Sequence, residues 1–77
     1  MEYVNRYNTN NLIKILLGNN IHFISDCMLF PKQGIRGKII EYRISSSGEI
    51  IFKIKSKSGK AYDVGSNTPN LQFEFIL

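Results

Sequence analysis

With 77 residues, one cysteine (Cys27) and one histidine (His22), the chain has room for one domain and can form neither an internal disulfide nor a four-ligand zinc site without unusual carboxylate help. Its ten Lys and Arg outnumber its six Asp and Glu, for a net charge of +4 that is compatible with nucleic acid and equally with simple solubility. The apolar run "LIKILL" is interrupted by Lys14 and is far shorter than the ~20 residues needed to span a bilayer, so no membrane partner is expected. A single cysteine fits a reducing compartment, no signal peptide is visible, and a cytoplasmic location is the expectation. Ile, Asn and Lys are abundant and Ala61 is the only alanine, a bias of AT-rich coding that suggests a phage, a mobile element or a low-GC bacterium.

The polar tract "NRYNTNN" reads as an N-terminal arm leading into a helix over residues 10–17, with Thr9 or Asn10 as N-cap and Gly18 just past the end. The run is also short and isoleucine-rich enough to be read as a strand. Two helical turns cannot stand alone in water and must dock an apolar face on the rest of the fold. "GNN" at 18–20 is a turn. "IHFISDCMLF", residues 21–30, alternates loosely, with Ile21, Phe23, Ser25, Cys27 and Leu29 on one side. Pro31, Gly34 and Gly37 punctuate the loop that follows, and 38–44 reads as a strand.

"SSSG" at 45–48 turns the chain back into the clearest strand of the sequence. In it Ile50, Phe52 and Ile54 alternate with Ile51, Lys53, Lys55 and Lys57. "KSGK" makes a second tight turn, Tyr62 and Val64 point inward from a strand over 60–65, and "LQFEFIL" closes the chain with Leu71, Phe73 and Phe75 on one side. The expected core is Ile50, Phe52, Ile54, Tyr62, Val64, Leu71 and Phe73, with Phe75 as a further core aromatic. Five short strands bury one face by curling up, so the expectation is an all-β domain with one short N-terminal helix, a small five-stranded barrel. Residues 1–77 form one domain, with 1–20 as arm and helix and 21–77 as barrel.

Over residues 21–77 the order "PKQGIRGKIIEY", hairpin, basic strand, "SGK" hairpin and "NTPNLQFEF" resembles the small Src-homology-3-like (SH3-like) barrels of the KOW and Tudor-like kind. Gly37 in "GKIIEY" sits where those domains open the strand after their first long loop, and "PNLQFEF" matches the lead into their last strand. Residues 1–17 are extra to the minimal barrel. The resemblance implies a domain that binds nucleic acid, ribosomal RNA, RNA polymerase partners, peptides or other proteins, and that is not catalytic alone; a shared fold does not fix the partner.

The candidate nucleic-acid surface is the basic row Lys53, Lys55 and Lys57 with Lys60, Arg36, Lys38 and Arg43, which could track a phosphate backbone in DNA or RNA. The plainer reading is a solvated sheet face whose lysines guard against edge pairing, with Glu41 and Lys53 as a cross-strand ion pair. Tyr42 and Tyr62 lie among these cations, as stacking platforms or as rim residues of the barrel. The alternative function is a protein-binding inhibitor or adaptor, encoded by a phage or mobile element, that docks on a host enzyme through Tyr3, Tyr7, Ile35 and Ile51. Catalysis finds no support. His22 and Cys27 are separated by an odd number of positions and point to opposite sides of a strand, and Asp26, Glu41, Glu49, Asp63 and Glu74 are scattered. "GIRGK" lacks the spacing, the Ser or Thr and the helix of a phosphate loop. No cofactor, metal or small-molecule substrate is expected.

Overall fold

Six strands and one α-helix carry the chain: β1 (Glu2–Tyr3), α1 (Thr9–Leu16), β2 (Asn20–Ile24), β3 (Ile35–Ile44), β4 (Ile50–Lys55), β5 (Ala61–Gly65) and β6 (Gln72–Phe75). The structure is a computed structural model that describes residues 1–77. A 3-10 turn, Val4–Arg6, leads from β1 toward α1. The strands form one antiparallel sheet in the order β1-β6-β2-β3-β4-β5. No helix is long and apolar enough to cross a membrane.

The meander β3-β4-β5 follows from local chemistry. Ile50, Phe52 and Ile54 are buried, as the period of two requires. The turns at the two ends of β4 are the same device used twice. Each has the sequence Ser-x-Ser-Gly, at Ser45–Gly48 and Ser56–Gly59. In each, the glycine N–H donates to the first serine's carbonyl at 2.9 Å, and the glycine takes positive φ, +89° at Gly48 and +87° at Gly59. In each, the two serine hydroxyls meet, at 2.8 and 2.9 Å. This is the three-residue hairpin loop with a left-handed residue before the returning strand.

β3 changes partners along its length. It pairs with β2 through Ile35–Lys38 and with β4 through Lys38–Ile44, with a bulge between Ile39 and Glu41. Gly37 sits near this exchange because the strands pass too closely for a side chain: a Cβ there would lie 2.4 Å from the Lys55 carbonyl oxygen and 2.8 Å from Ile54 Cγ2.

The expected five-stranded barrel is corrected to an open sheet of six strands, in which β1 and β5 are the two edges. Glu2 and Tyr3 pair with Phe73 and Gln72, so the N-terminal segment adds a strand beside β6. Val4, Leu12 and Leu16 from the same segment join Ile21, Phe23, Ile39, Phe52, Phe73 and their neighbours in one buried cluster of 13 residues. With that cover supplied, the inner face is buried without closure. The expected helix is present, starting at Thr9 rather than Asn10. Its cap is Asn8, whose side chain accepts the Asn11 N–H at 2.9 Å, in place of Thr9 or Asn10. Gly18, with φ +83°, follows its end and donates its N–H to the Ile39 carbonyl at 2.8 Å, tying the helix end to β3.

Other boundaries also move. The strand expected over 21–30 stops at Ile24, because Ser25 Oγ donates to the Pro69 carbonyl at 2.6 Å and accepts the Cys27 N–H at 3.0 Å, turning the chain away. Cys27, which the alternation set on the side of Ile21 and Phe23, is half-buried in that loop. The last strand is confined to Gln72–Phe75. Lys57 lies in the turn after β4, not on the strand. Of the expected core, Tyr62 is half-buried and Phe75, on the last strand beyond the stretch that β1 covers, is exposed; the other six residues are buried.

Candidate nucleic-acid interface

The face of β3, β4 and β5 turned away from the core holds two groups of cations. In the first, register places Glu41 opposite Lys53 and Lys53 opposite Asp63. Lys53 Nζ lies 3.0 Å from Glu41 Oε1, and Arg43 donates to Asp63 Oδ2 at 3.4 Å. Two cations and two carboxylates balance. Lys53 and Arg43, both expected as phosphate contacts, are therefore matched within the fold, as the cross-strand reading of Glu41 and Lys53 expected.

The second group lies nearer the Ser56–Gly59 turn. Lys38 and Lys55 are directly opposite each other across β3 and β4. Arg36 precedes Lys38 by two positions on β3, and Lys57 follows Lys55 into the turn. None of the four has a carboxylate within ion-pair distance; the three ion pairs of the fold are those of Lys53, Arg43 and His22. Like charges facing each other on adjacent strands oppose pairing, so this end of the sheet carries a small electrostatic cost. An open cleft of about 730 Å³ borders the group, lined by Arg36, Gly37, Lys55, Ser56, Lys57 and Ser58, with Asn20, Ile76 and Leu77. The guanidinium and ammonium groups supply charge, and the mutually bonded Ser56 and Ser58 hydroxyls leave one O–H free to donate. Such a surface suits an anion with several oxygens. Lys60 lies past the turn with its ammonium 6.0 Å from the Tyr62 ring centroid.

Ser58 falls in the tight turn "KSGK" and Ser56 among the lysines of the preceding strand, and neither carries a signal of a site in the sequence. Asn20 and Ile76 reach the cleft through the sheet: Ile76 donates its N–H to the Asn20 carbonyl at 3.0 Å, and Asn20 is opposite Lys38. No local sequence signal marks them.

Beside the cleft on the same face, His22 is opposite Arg36 on one side and Glu74 on the other. His22 is buried, with Nδ1 3.0 Å from Glu74 Oε2 and Nε2 3.1 Å from the Gln33 carbonyl. Both partners are acceptors, so only the doubly protonated ring can donate to both at once. The hydrogen bond from His22, aided by the charges of His22 and Arg36, holds the Glu74 carboxyl below its ordinary range against the opposing effect of desolvation. No three His, Cys, Asp or Glu side chains converge anywhere in the fold.

The four residues expected to contact a protein do not make one surface. Ile35 is buried, a correction that follows from its place opposite Phe23. Tyr7 packs on the core, with its ring 5.8 Å from Phe73 and its hydroxyl donating to Glu2 at 3.3 Å. Its hydroxyl pKa is raised, first by desolvation and then by the Glu2 carboxylate. Tyr3 is exposed on β1, while half-buried Ile51 lies on β4, four strands away in the sheet. No family model, curated protein or solved structure matches this chain.

Proposed function

We propose that this chain is a small non-enzymatic module that binds nucleic acid through its phosphates, using Arg36, Lys38, Lys55 and Lys57 around the cleft. The observation that carries this reading is the Lys38–Lys55 pair: two lysines opposed across adjacent strands, neither with a carboxylate partner, beside a cleft that Lys55, Lys57 and Arg36 line. A phosphate backbone would relieve that repulsion. Lysines dominate the set and act as point charges, so binding shows little sequence preference. The likeness of residues 21–77 to domains of the KOW and Tudor-like kind points the same way, toward a binding module.

The test is fluorescence anisotropy with labelled duplex and single-stranded oligonucleotides across a salt series. Replacing Lys38, Lys55 and Lys57 together by alanine weakens binding at low salt. It also flattens the plot of log affinity against log salt, by about 0.9 per lost contact on duplex or about 0.7 on single strands. An unchanged slope, or no binding by the wild type at low salt, overturns the reading.

One observation favours the alternative of a phage- or mobile-element-encoded inhibitor or adaptor that docks on a host enzyme. Met28 and Leu29, in the loop after β2, are 95% and 94% exposed. Under that reading, pull-down from lysate recovers a stoichiometric protein that survives nuclease, and Met28→Ser with Leu29→Ser abolishes its capture.

A further inference from the structure

Four stretches of the sheet have no strand beside them on one side: the outer side of β1, the end of β6 that β1 leaves uncovered (Glu74–Phe75), the outer side of β5, and the distal half of β3. In the last, β2 ends its pairing at Lys38, and Glu41–Ile44 are bonded to β4 alone. An unpaired edge is a template for another strand. They are not equivalent. β1 has only two residues, and β6 leaves only two uncovered beside it. β5 has Asp63 at its centre, so pairing β5 with a copy of itself about that residue sets carboxylate against carboxylate.

The free half of β3 reads Glu41-Tyr42-Arg43-Ile44, and its charges are arranged symmetrically about Tyr42. A two-fold axis through Tyr42 sets Glu41 opposite Arg43 of a second copy, twice, and Tyr42 opposite its counterpart. The backbone has the right parity. Ser45 donates its N–H to the Glu49 carbonyl at 2.8 Å, and the alternation of an antiparallel ladder then turns the N–H and C=O of Ile44 and Tyr42 away from β4, toward the free side. Both side chains are also large, apolar and exposed, at 42% for Tyr42 and 53% for Ile44. They lie on the core side of the sheet, opposite Phe52 and Ile50, at the point where the core gives out.

We propose that two copies of this chain associate through the distal half of β3, antiparallel about Tyr42, in a symmetric contact that extends the sheet from one copy into the next. The proposal stands apart from the nucleic-acid reading, since none of the four residues lines the cleft.

Sedimentation velocity of the full chain over a wide concentration range tests it. The wild type converts from monomer to dimer as concentration rises. Arg43→Glu alone, or Glu41→Arg alone, sets like charges opposite each other twice and raises the dimer dissociation constant by about tenfold or more. The double variant Glu41→Arg with Arg43→Glu restores opposite charges across the axis and recovers dimerisation, although it reverses both charges facing Lys53 and Asp63 within the chain. A role confined to the monomer's own ion pairs predicts the opposite, with the double variant the most impaired. Amide exchange of the wild type gives a readout independent of any variant: protection at Tyr42 and Ile44 rises with concentration while protection in β5 does not. A chain that stays monomeric throughout, exchange at Tyr42 and Ile44 that ignores concentration, or a double variant no better than the single ones overturns the proposal.

Discussion

The Glu41–Lys53–Asp63–Arg43 group and the Arg36–Lys38–Lys55–Lys57 group share one face of the same meander, and Lys53 and Lys55 are next-but-one neighbours on β4. Only the first group carries its own counter-charges, at 3.0 and 3.4 Å. Alternation along β4 tells which side a lysine faces, and it treats Lys53 and Lys55 alike. Register decides whom each one meets: Glu41 and Asp63 for Lys53, Lys38 and Ala61 for Lys55. A row of like residues in sequence is therefore two electrostatic environments in the fold, one satisfied and one open to a partner.

The largest perturbation removes the floor beneath both groups. Phe52 is fully buried and faces Phe23, with ring centroids 6.4 Å apart. Phe52→Ala is expected to cost roughly 3–5 kcal/mol, enough to unfold a domain of this size, and a thermal melt shows both regions lost together. Gly37→Ala is more selective. The new Cβ would press on the Lys55 backbone carbonyl, which cannot swing aside like a side-chain tip. A loss of roughly 1–3 kcal/mol is expected in denaturant unfolding. Amide exchange should rise around Lys38 and Lys55 before it does around Lys53 and Asp63; uniform loosening would erase the distinction between the two regions.

Lys53→Ala is the direct test of the contrast. It breaks an exposed pair worth about 0.2–1 kcal/mol, and it leaves the salt dependence of oligonucleotide binding unchanged, whereas Lys55→Ala flattens it. Equal effects on the slope would break the comparison. The smallest effect is acidic. Because the folded pKa of Glu74 is depressed, Glu74 contributes stability that is fully present above the ordinary glutamate range and fades as pH falls through its own lower value. Melting curves between neutral and acid pH should show this loss in the wild type and a shallower decline in Glu74→Gln.

The parts legible in sequence are those whose causes are local. Both Ser-x-Ser-Gly turns, the alternation of β4 and the glycine after α1 each depend on a few adjacent residues. The Glu41–Lys53 pair was also within reach, because a hairpin with a short loop fixes its own register. β1 was hidden because two residues have no period, and they become a strand only by meeting Phe73 and Gln72. The strand expected over 21–30 runs too far because a loose alternation continues through Met28 and Leu29, whereas the Ser25 hydroxyl has already turned the chain. The cleft was half visible. Lys55 and Lys57 are neighbours in sequence, but Arg36, Asn20 and Ile76 join them only through the partner exchange of β3 and the arrival of β6 beside β2.

The repeated turn also makes the domain a convenient host for grafted sequence. At both Gly48 and Gly59 no atom lies within 4 Å of the position a side chain would take, so each tip opens into solvent. Lengthening a surface loop costs only about 0.6 kcal/mol per doubling, and exposed tips of small polar residues tolerate insertion best. The two tips are not interchangeable as attachment points. Ser56 and Ser58 line the cationic cleft, so an epitope or fluorescent module spliced there would shadow it. The Ser46–Ser47 tip sits at the far end of β4, where a cargo can be carried with the cleft left open.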